Sequence, residues 1–257
     1  MRADPPSMGG MTHALAYGPT VQRLAHDLTD RGPGEPKAEE LAGELAEELA
    51  WWLAGSARFR AFAEAHRDKI RKKLRTAADA EALRDVQTEL QVARLLLSDR
   101  RIALAYEAYG SGKAGPDFTV TLRGERSFNL EVTRLRGAPR ATAYGGPLLA
   151  KLRQLPPSAP SVVLIAIEGD TAEALDVDAA TRALRAWADA KDEAFFAARG
   201  FDGTRAFYER YLRLGAVLVW CEAATADARV ALWINRSARM ALPAKAARAC
   251  AACLRGD

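Results

Sequence analysis

The stretch Gly115-Pro-Asp-Phe-Thr-Val-Thr-Leu-Arg-Gly-Glu-Arg-Ser-Phe-Asn-Leu-Glu-Val-Thr133 decides how this chain folds. It contains two runs in which polar and apolar residues alternate, and a short polar gap around Gly124 separates them. Such alternation is typical of half-buried strands, and a glycine in a short gap between them is typical of a hairpin turn. The stretch therefore predicts two antiparallel strands joined at Arg123–Glu125.

Side-chain parity sorts this hairpin into a polar face and an apolar face, because successive side chains of a strand point in opposite directions. Asp117 lies on the polar face of the first strand, and Glu131 lies on the polar face of the second. With the turn centred on Gly124, the two residues are equally far from the centre and stand opposite each other. A slip of one residue would separate them, so their pairing depends on the register.

Two facing carboxylates repel each other unless something neutralises them. A shared proton, a basic neighbour or a hard divalent cation with oxygen ligands can do so. The alternative interpretation is an edge hairpin whose two acids are simply solvated. The surrounding sequence favours a functional pair, because an acid, Glu89, lies upstream of the hairpin and a base, Lys151, lies downstream of it.

The flanking residues carry a resemblance to a known family. Pro116 precedes Asp117, the second strand ends in Glu131-Val-Thr133, an upstream helix carries Glu89 and a downstream helix carries Lys151. Together these features resemble the PD-(D/E)xK nuclease superfamily. The resemblance implies an α/β fold with a restriction-endonuclease-like α-β-β-β-α-β core over residues 79–168, in which helices flank a mixed central sheet.

The resemblance also implies a chemistry. Asp117, Glu131, the Val132 carbonyl and Glu89 would hold Mg²⁺ or Mn²⁺ through oxygen ligands, and the catalytic residues would be Asp117, Glu131 and Lys151. The implied function is metal-dependent hydrolysis of a phosphodiester in DNA or RNA by an endonuclease or exonuclease. For Glu89, an alternative is pairing with its neighbours Asp85 or Arg94 on the helix surface.

The sequence departs from the superfamily pattern at Thr133, where members usually have lysine. Threonine has no charge with which to orient a water or offset negative charge. In some members the lysine comes from another element, and Lys151 on the next helix is well placed for that, with Arg134 or Arg136 as poorer substitutes. Otherwise the domain is an inactive, nuclease-like module that binds nucleic acid or a protein partner. An unrelated α/β domain is the third hypothesis.

Charge is distributed unevenly along a chain of 257 residues with a net charge of +4. Residues 100–153 contain ten Lys or Arg against four Asp or Glu, and residues 205–257 contain nine against four. Basic surface around a small acidic centre suits a phosphodiester substrate, because Lys and Arg make the phosphate contacts. The alternative is that arginine is simply abundant in this composition.

The remaining pattern predicts three regions: a loose Gly/Pro-rich segment at 1–19, a helical region at 20–76 that could support a homodimer, and the α/β domain at 77–257. The predicted helices span 20–30, 37–54, 56–75, 79–99 and 147–155, with a helical insertion at 172–214 and a tail helix at 243–254. The other predicted strands span 101–109, 161–168, 215–221 and 229–235.

Localisation follows from what the sequence lacks. It has no apolar run of eighteen or more residues and no secretory h-region, so we expect no membrane span and no export. Three sparse cysteines fit a reducing cytoplasm. Cys250 and Cys253 have the spacing of a metal or redox pair, but without a second pair they are expected to be packing residues.

Overall fold

The computed structural model describes residues 17–30, 36–109, 115–135, 145–168, 176–222 and 229–256. The chain divides into two compact units, residues 1–84 and 85–257. Apart from residues 17–19, the N-terminal segment predicted to be loose lies outside the described residues, as do the ends of several predicted elements.

The first unit is helical in its described part. Its helices are α1 (Pro19–Thr29), α2 (Pro36–Gly55), α3 (Ala57–Ala65), α4 (Arg67–Thr76) and the first residues of α5 (Ala80–Leu96). Leu45, Leu49 and Leu53 recur every fourth residue along α2 and are fully buried, which is the amphipathic pattern of a helix that packs on its neighbours. The Ser56 hydroxyl caps α3 by accepting a hydrogen bond from the Phe59 N–H at 3.1 Å.

The helix predicted over 56–75 is two helices, because the chain breaks at His66. This residue has φ −113° and ψ 18°, outside the helical range. Its ring packs against Phe62 with the centroids 4.8 Å apart. The sequence contains neither glycine nor proline at this point, so periodicity alone predicted no interruption.

The second unit contains a mixed six-stranded sheet, so the predicted α/β class with flanking helices is confirmed. Its strands lie in chain order across the sheet: β1 (Ile102–Tyr106), β2 (Phe118–Leu122), β3 (Phe128–Leu135), β4 (Ser161–Glu168), β5 (Leu214–Glu222) and β6 (Arg229–Ile234). The pairs β1–β2, β2–β3 and β5–β6 are antiparallel, while β3–β4 and β4–β5 are parallel. The hairpin predicted for the last two strands is therefore an antiparallel pair.

The β2–β3 hairpin has the register that the turn position predicted. Phe118 pairs with Leu130 and Val120 pairs with Phe128, which centres the turn on Gly124. Gly124 has φ +81°, a left-handed conformation that glycine adopts without steric cost. The Glu125 N–H closes the turn by donating to the Leu122 carbonyl at 2.9 Å.

Helices of the second unit cover the sheet. They are the rest of α5, then α6 (Gly145–Leu152), α7 (Val177–Asp189), α8 (Glu193–Ala197), α9 (Gly203–Tyr211) and α10 (Ala244–Arg255). Apolar residues of α6, α7 and α9 pack on one face of β3, β4 and β5 in a single buried cluster. The helical insertion predicted at 172–214 consists of α7, α8 and α9, and its first residues lie outside the described part of the chain.

The two cysteines of α10 are packing residues. Cys250 and Cys253 are both buried on α10, and the Cys253 thiol lies 3.9 Å from the Leu96 carbonyl. They therefore pack, as predicted.

Among the residues that the structure describes, no helix combines the length and the apolar character needed to cross a membrane.

The buried strand β4 should dominate the stability of the second unit. Ile165 is 0 % exposed at its centre, whereas Ile234 on the edge strand β6 is 40 % exposed. We expect Ile165→Ala to lower the free energy of unfolding by about 2–5 kcal/mol, because it leaves a cavity between sheet and helices. Urea denaturation measures the change.

Ile234→Ala makes the same chemical change at an exposed site and is the matched control. We expect it to cost less than about 1 kcal/mol, since little apolar surface leaves water there. Equal losses from the two variants would contradict the assignment of the core.

Candidate functional site

The hairpin brings Asp117 and Glu131 together. Asp117 immediately precedes β2, and continuing the register of Phe118 and Leu130 by one residue sets it opposite Glu131. Asp117 is 9 % exposed and Glu131 is 3 % exposed, and β3 lies between β2 and β4 inside the sheet. The alternative of an edge hairpin with solvated acids is therefore wrong.

Asp117 is held by the backbone of β3. Its Oδ2 accepts a hydrogen bond from the Val132 N–H at 2.8 Å, at the point where the β2–β3 ladder has ended. The N–H and the carbonyl of a strand residue point to the same side, so the Val132 carbonyl faces the strand that leads to Asp117. Asp117 is thus fixed at the end of the ladder, where its charge acts on Glu131.

Lys151 reaches this site from α6. Leu148, Leu149 and Leu152 are buried against the sheet, and they fix the helix beside β3. The Lys151 Nζ lies 2.6 Å from the Glu131 Oε1, and the lysine side chain is 20 % exposed. Thr133 lies two residues beyond Glu131 and on the same face, so the cation comes from the helix and not from the strand.

The second oxygen of Glu131, Oε2, is buried and has no hydrogen-bond partner among the described residues. Buried polar atoms nearly always have a partner, so an unsatisfied carboxylate oxygen beside a second carboxylate is the kind of atom that an added cation would bind. Within the described ranges, however, no group of three or more His, Cys, Asp or Glu side chains is arranged to hold a metal ion.

Burial and charge shift the acid–base properties of the contacting pair. Burial, together with the charge of Asp117, raises the pKa of Glu131 to about 7, although Lys151 acts in the opposite direction. Burial alone would lower the pKa of Lys151, but the negative charges of Glu131 and Asp117 outweigh it and raise that pKa. Lys151 therefore stays charged at neutral pH, while Glu131 can exchange a proton.

Glu89 is buried beside the strands and does not lie on the surface. Its Oε2 accepts a hydrogen bond from the Tyr106 hydroxyl at 3.0 Å, and the side chain is buried, so the alternative that places Glu89 on the helix surface is wrong. Burial, together with the charges of Glu89 and Asp117, raises the pKa of Tyr106 well above its ordinary value. The hydroxyl thus remains a donor at neutral pH.

Sequence reasoning missed Tyr106. It gave no sign of a polar role, because parity puts Tyr106 on the apolar side of its strand, paired with Phe118. Only the packing of α5 shows that the tip of this aromatic ring meets an acid.

Arg134 does not substitute for the lysine. It follows Glu131 by three residues, so parity turns it to the opposite face of β3. There its Nε donates to the Asp85 Oδ1 of α5 at 3.2 Å. Arg136, the other substitute considered, lies outside the described residues.

Removing the lysine should perturb Glu131 in a measurable direction. We expect Lys151→Met to raise the pKa of Glu131 further above about 7, because the nearest positive charge disappears while burial and Asp117 remain. Carboxyl-carbon NMR titration measures this pKa. Lys191→Met, which removes an exposed lysine, should leave the pKa unchanged, and a fall of the pKa in Lys151→Met would contradict the contact.

Comparisons with known proteins add no assignment. No family model matches the chain, and neither the curated proteins nor the solved structures that were searched contain a match. The function must therefore be inferred from the fold and from the chemistry of the Asp117–Glu131–Lys151 site.

Proposed function

We propose that this chain is a divergent member of the PD-(D/E)xK superfamily that hydrolyses nucleic-acid phosphodiesters with a divalent metal ion. Its restriction-endonuclease-like core would run from α5 to β4. The alternative is a nuclease-like domain that binds nucleic acid or a protein partner without cutting. Both proposals use the same fold, and they differ in whether Lys151 and the two acids act chemically.

The order of the elements supports the proposal. From α5 onward the chain forms helix, three antiparallel strands, helix and a parallel strand, which is the α-β-β-β-α-β order that the resemblance implies. The apolar residues of α6 pack beside β3, and β2, which pairs with β3, begins directly after Asp117. An acid before β2, an acid within β3 and a lysine on α6 are thereby close together.

One observation carries the proposal: the contact of 2.6 Å between the Lys151 Nζ and the Glu131 Oε1, with Asp117 beside them. A lysine at that place offsets the absence of a lysine at Thr133. The inactive alternative expects Lys151 to point into solvent, and its half-buried contact with Glu131 favours an active site.

The residues present fit a divalent cation. Asp117, Glu131 and the Val132 carbonyl are the oxygen ligands that Mg²⁺ and Mn²⁺ prefer, and the unpartnered Glu131 Oε2 is available as a ligand. The negative charge of Glu89 contributes to the raised pKa of Lys151. A bound ion would supply Lewis-acid polarisation of the scissile phosphate and acidification of a water.

The protein's own groups supply the rest of the chemistry. Glu131, whose pKa is about 7 without a cation, would be ionised when it holds one and would attract the ion. Lys151 keeps its positive charge and can stabilise the negative charge that develops on the phosphate in the transition state. Burial strengthens both effects, because charges interact more strongly away from water.

Three site variants test the proposal. We expect Asp117→Asn and Glu131→Gln to abolish Mn²⁺ binding measured by calorimetry, because each removes an anionic ligand. Lys151→Met should bind the metal more weakly near neutral pH, because Glu131 then holds its proton more tightly, and at saturating Mn²⁺ it should cleave a fluorescent oligonucleotide about 10²–10³-fold more slowly. Lys191→Met is the matched control and should cleave at the wild-type rate.

Cleavage that persists in all three variants would contradict the assigned site. Oligonucleotide binding without any cleavage by the wild-type protein would favour the inactive alternative.

Metal affinity should also depend on pH. A proton competes with the metal for Glu131, whose pKa lies at about 7. We expect the apparent Mn²⁺ affinity to fall by about tenfold from pH 8 to pH 6, since ionised Glu131 falls by that factor. Calorimetry at several pH values measures it, and an affinity that is constant over this range would exclude Glu131 as a ligand.

A further inference from the structure

Three arginines converge at one end of the sheet in the second unit. Arg210 lies near the end of α9, Arg213 follows in the turn before β5, and Arg239 follows β6. The Arg213 Nη1 and the Arg210 Nη1 donate to the same carbonyl, that of Leu155, at 3.0 and 3.5 Å. The Arg239 N–H donates to the Leu212 carbonyl at 2.8 Å, which brings this residue beside Arg213. We call Arg210, Arg213 and Arg239 the arginine cluster.

The arginine cluster forms no ion pair with any carboxylate that the structure describes. Glu209, whose charge acts on Arg213, pairs with Arg205 at 3.3 Å. Burial, with the positive charges of Arg210 and Arg239, lowers the pKa of Arg213, which agrees with like charges held close together.

Most of the donors in the cluster have no partner among the described residues. A guanidinium carries five N–H donors, and Arg210 and Arg213 each use one for the Leu155 carbonyl. Arg239 makes no side-chain hydrogen bond with any residue in the described part of the second unit and is exposed. Three adjacent cations with free donors match the several oxygens of a phosphate group.

The cluster lies at the start of the parallel strands, which is the end of the sheet nearer to Glu131. The Ser161 N–H at the start of β4 donates to the Arg213 carbonyl, and Ser161 pairs with Asn129 of β3, two residues before Glu131. The Leu155 carbonyl that holds the arginines follows Lys151 by four residues. Two strand spacings, about 10 Å, separate β3 from β5.

We infer that the arginine cluster binds a backbone phosphate of the nucleic-acid strand whose scissile phosphate lies at Glu131 and Lys151. This inference rests on the proposed function, because it assigns the cluster to the same substrate. The cluster would hold a phosphate of the same strand at some distance from the one that is cut and so set the direction of the strand across the start of β3, β4 and β5. An isolated phosphate monoester shares the same chemistry, and the experiment separates the two.

The test is binding of a 5′-fluorescein single-stranded oligonucleotide in EDTA, followed by anisotropy over a range of salt concentrations. Cleavage cannot interfere without metal. We expect the double variant R213Q/R239Q to bind about tenfold more weakly, with the slope of log affinity against log salt reduced by about one for each lost phosphate contact. Arg182→Gln is the matched control, because Arg182 is an exposed arginine paired with Asp178, and it should change neither quantity.

Folding is controlled with single variants. Arg213→Gln removes a hydrogen bond to the Leu155 carbonyl and could destabilise the turn, whereas Arg239→Gln removes only an exposed charge. Arg239→Gln should therefore weaken binding and reduce the salt slope at an unchanged melting temperature. Wild-type affinity and slope in both Arg239→Gln and the double variant would overturn the inference.

The outcomes distinguish this inference from the proposed function. Weaker binding by the double variant supports the cluster even if the wild-type protein does not cleave, and in that case only the nuclease proposal fails. Unchanged binding with intact cleavage overturns the cluster and leaves the nuclease standing. Inorganic phosphate is also added as a competitor of the fluorescent oligonucleotide. If it displaces the oligonucleotide as effectively as unlabelled oligonucleotide does at the same concentration of phosphate groups, the cluster binds a small phosphate ligand and the backbone assignment is overturned.

Discussion

Burial of the Glu131 carboxylate is the constraint on which the site depends. A buried charge is costly unless it is paired and hydrogen-bonded, and here Lys151 on α6 supplies the pairing at 2.6 Å. The lysine can reach the strand only because three leucines of α6 pack against the sheet. The sheet, the helix and the charge pair are therefore parts of one arrangement, and a change to any of them would alter the environment of Glu131.

The same arrangement leaves one carboxylate oxygen of the site without a hydrogen-bond partner in the described chain. Lys151 satisfies one oxygen of Glu131, the backbone of β3 satisfies one oxygen of Asp117, and the second Glu131 oxygen lacks a partner within the described chain. A purely structural ion pair would be expected to satisfy both oxygens. The same burial, followed by the charge of Asp117, raises the pKa of Glu131. Perturbed acids of this kind concentrate at functional sites.

The basic groups around the site fall into two kinds. Arg134 is neutralised by Asp85 across the opposite face of β3, and it holds α5 to the sheet. The arginine cluster, by contrast, has no carboxylate partner within the described ranges and gathers near the start of the parallel strands. Counting charges along the sequence treats these arginines alike. Their different surroundings separate a structural role from one that an anionic ligand would complete.

The sequence by itself determined the class of fold, the order of the elements and the hairpin register. Each depends on local patterns: the alternation in β2 and β3, the glycine of their turn, and the continuous apolar run of β4. Only the tertiary structure decided that Lys151 meets Glu131, that Glu89 bonds to Tyr106, and that the Leu155 carbonyl holds two arginines. Those contacts join residues far apart in the chain, and they follow from how the helices pack on the sheet, which no local pattern encodes.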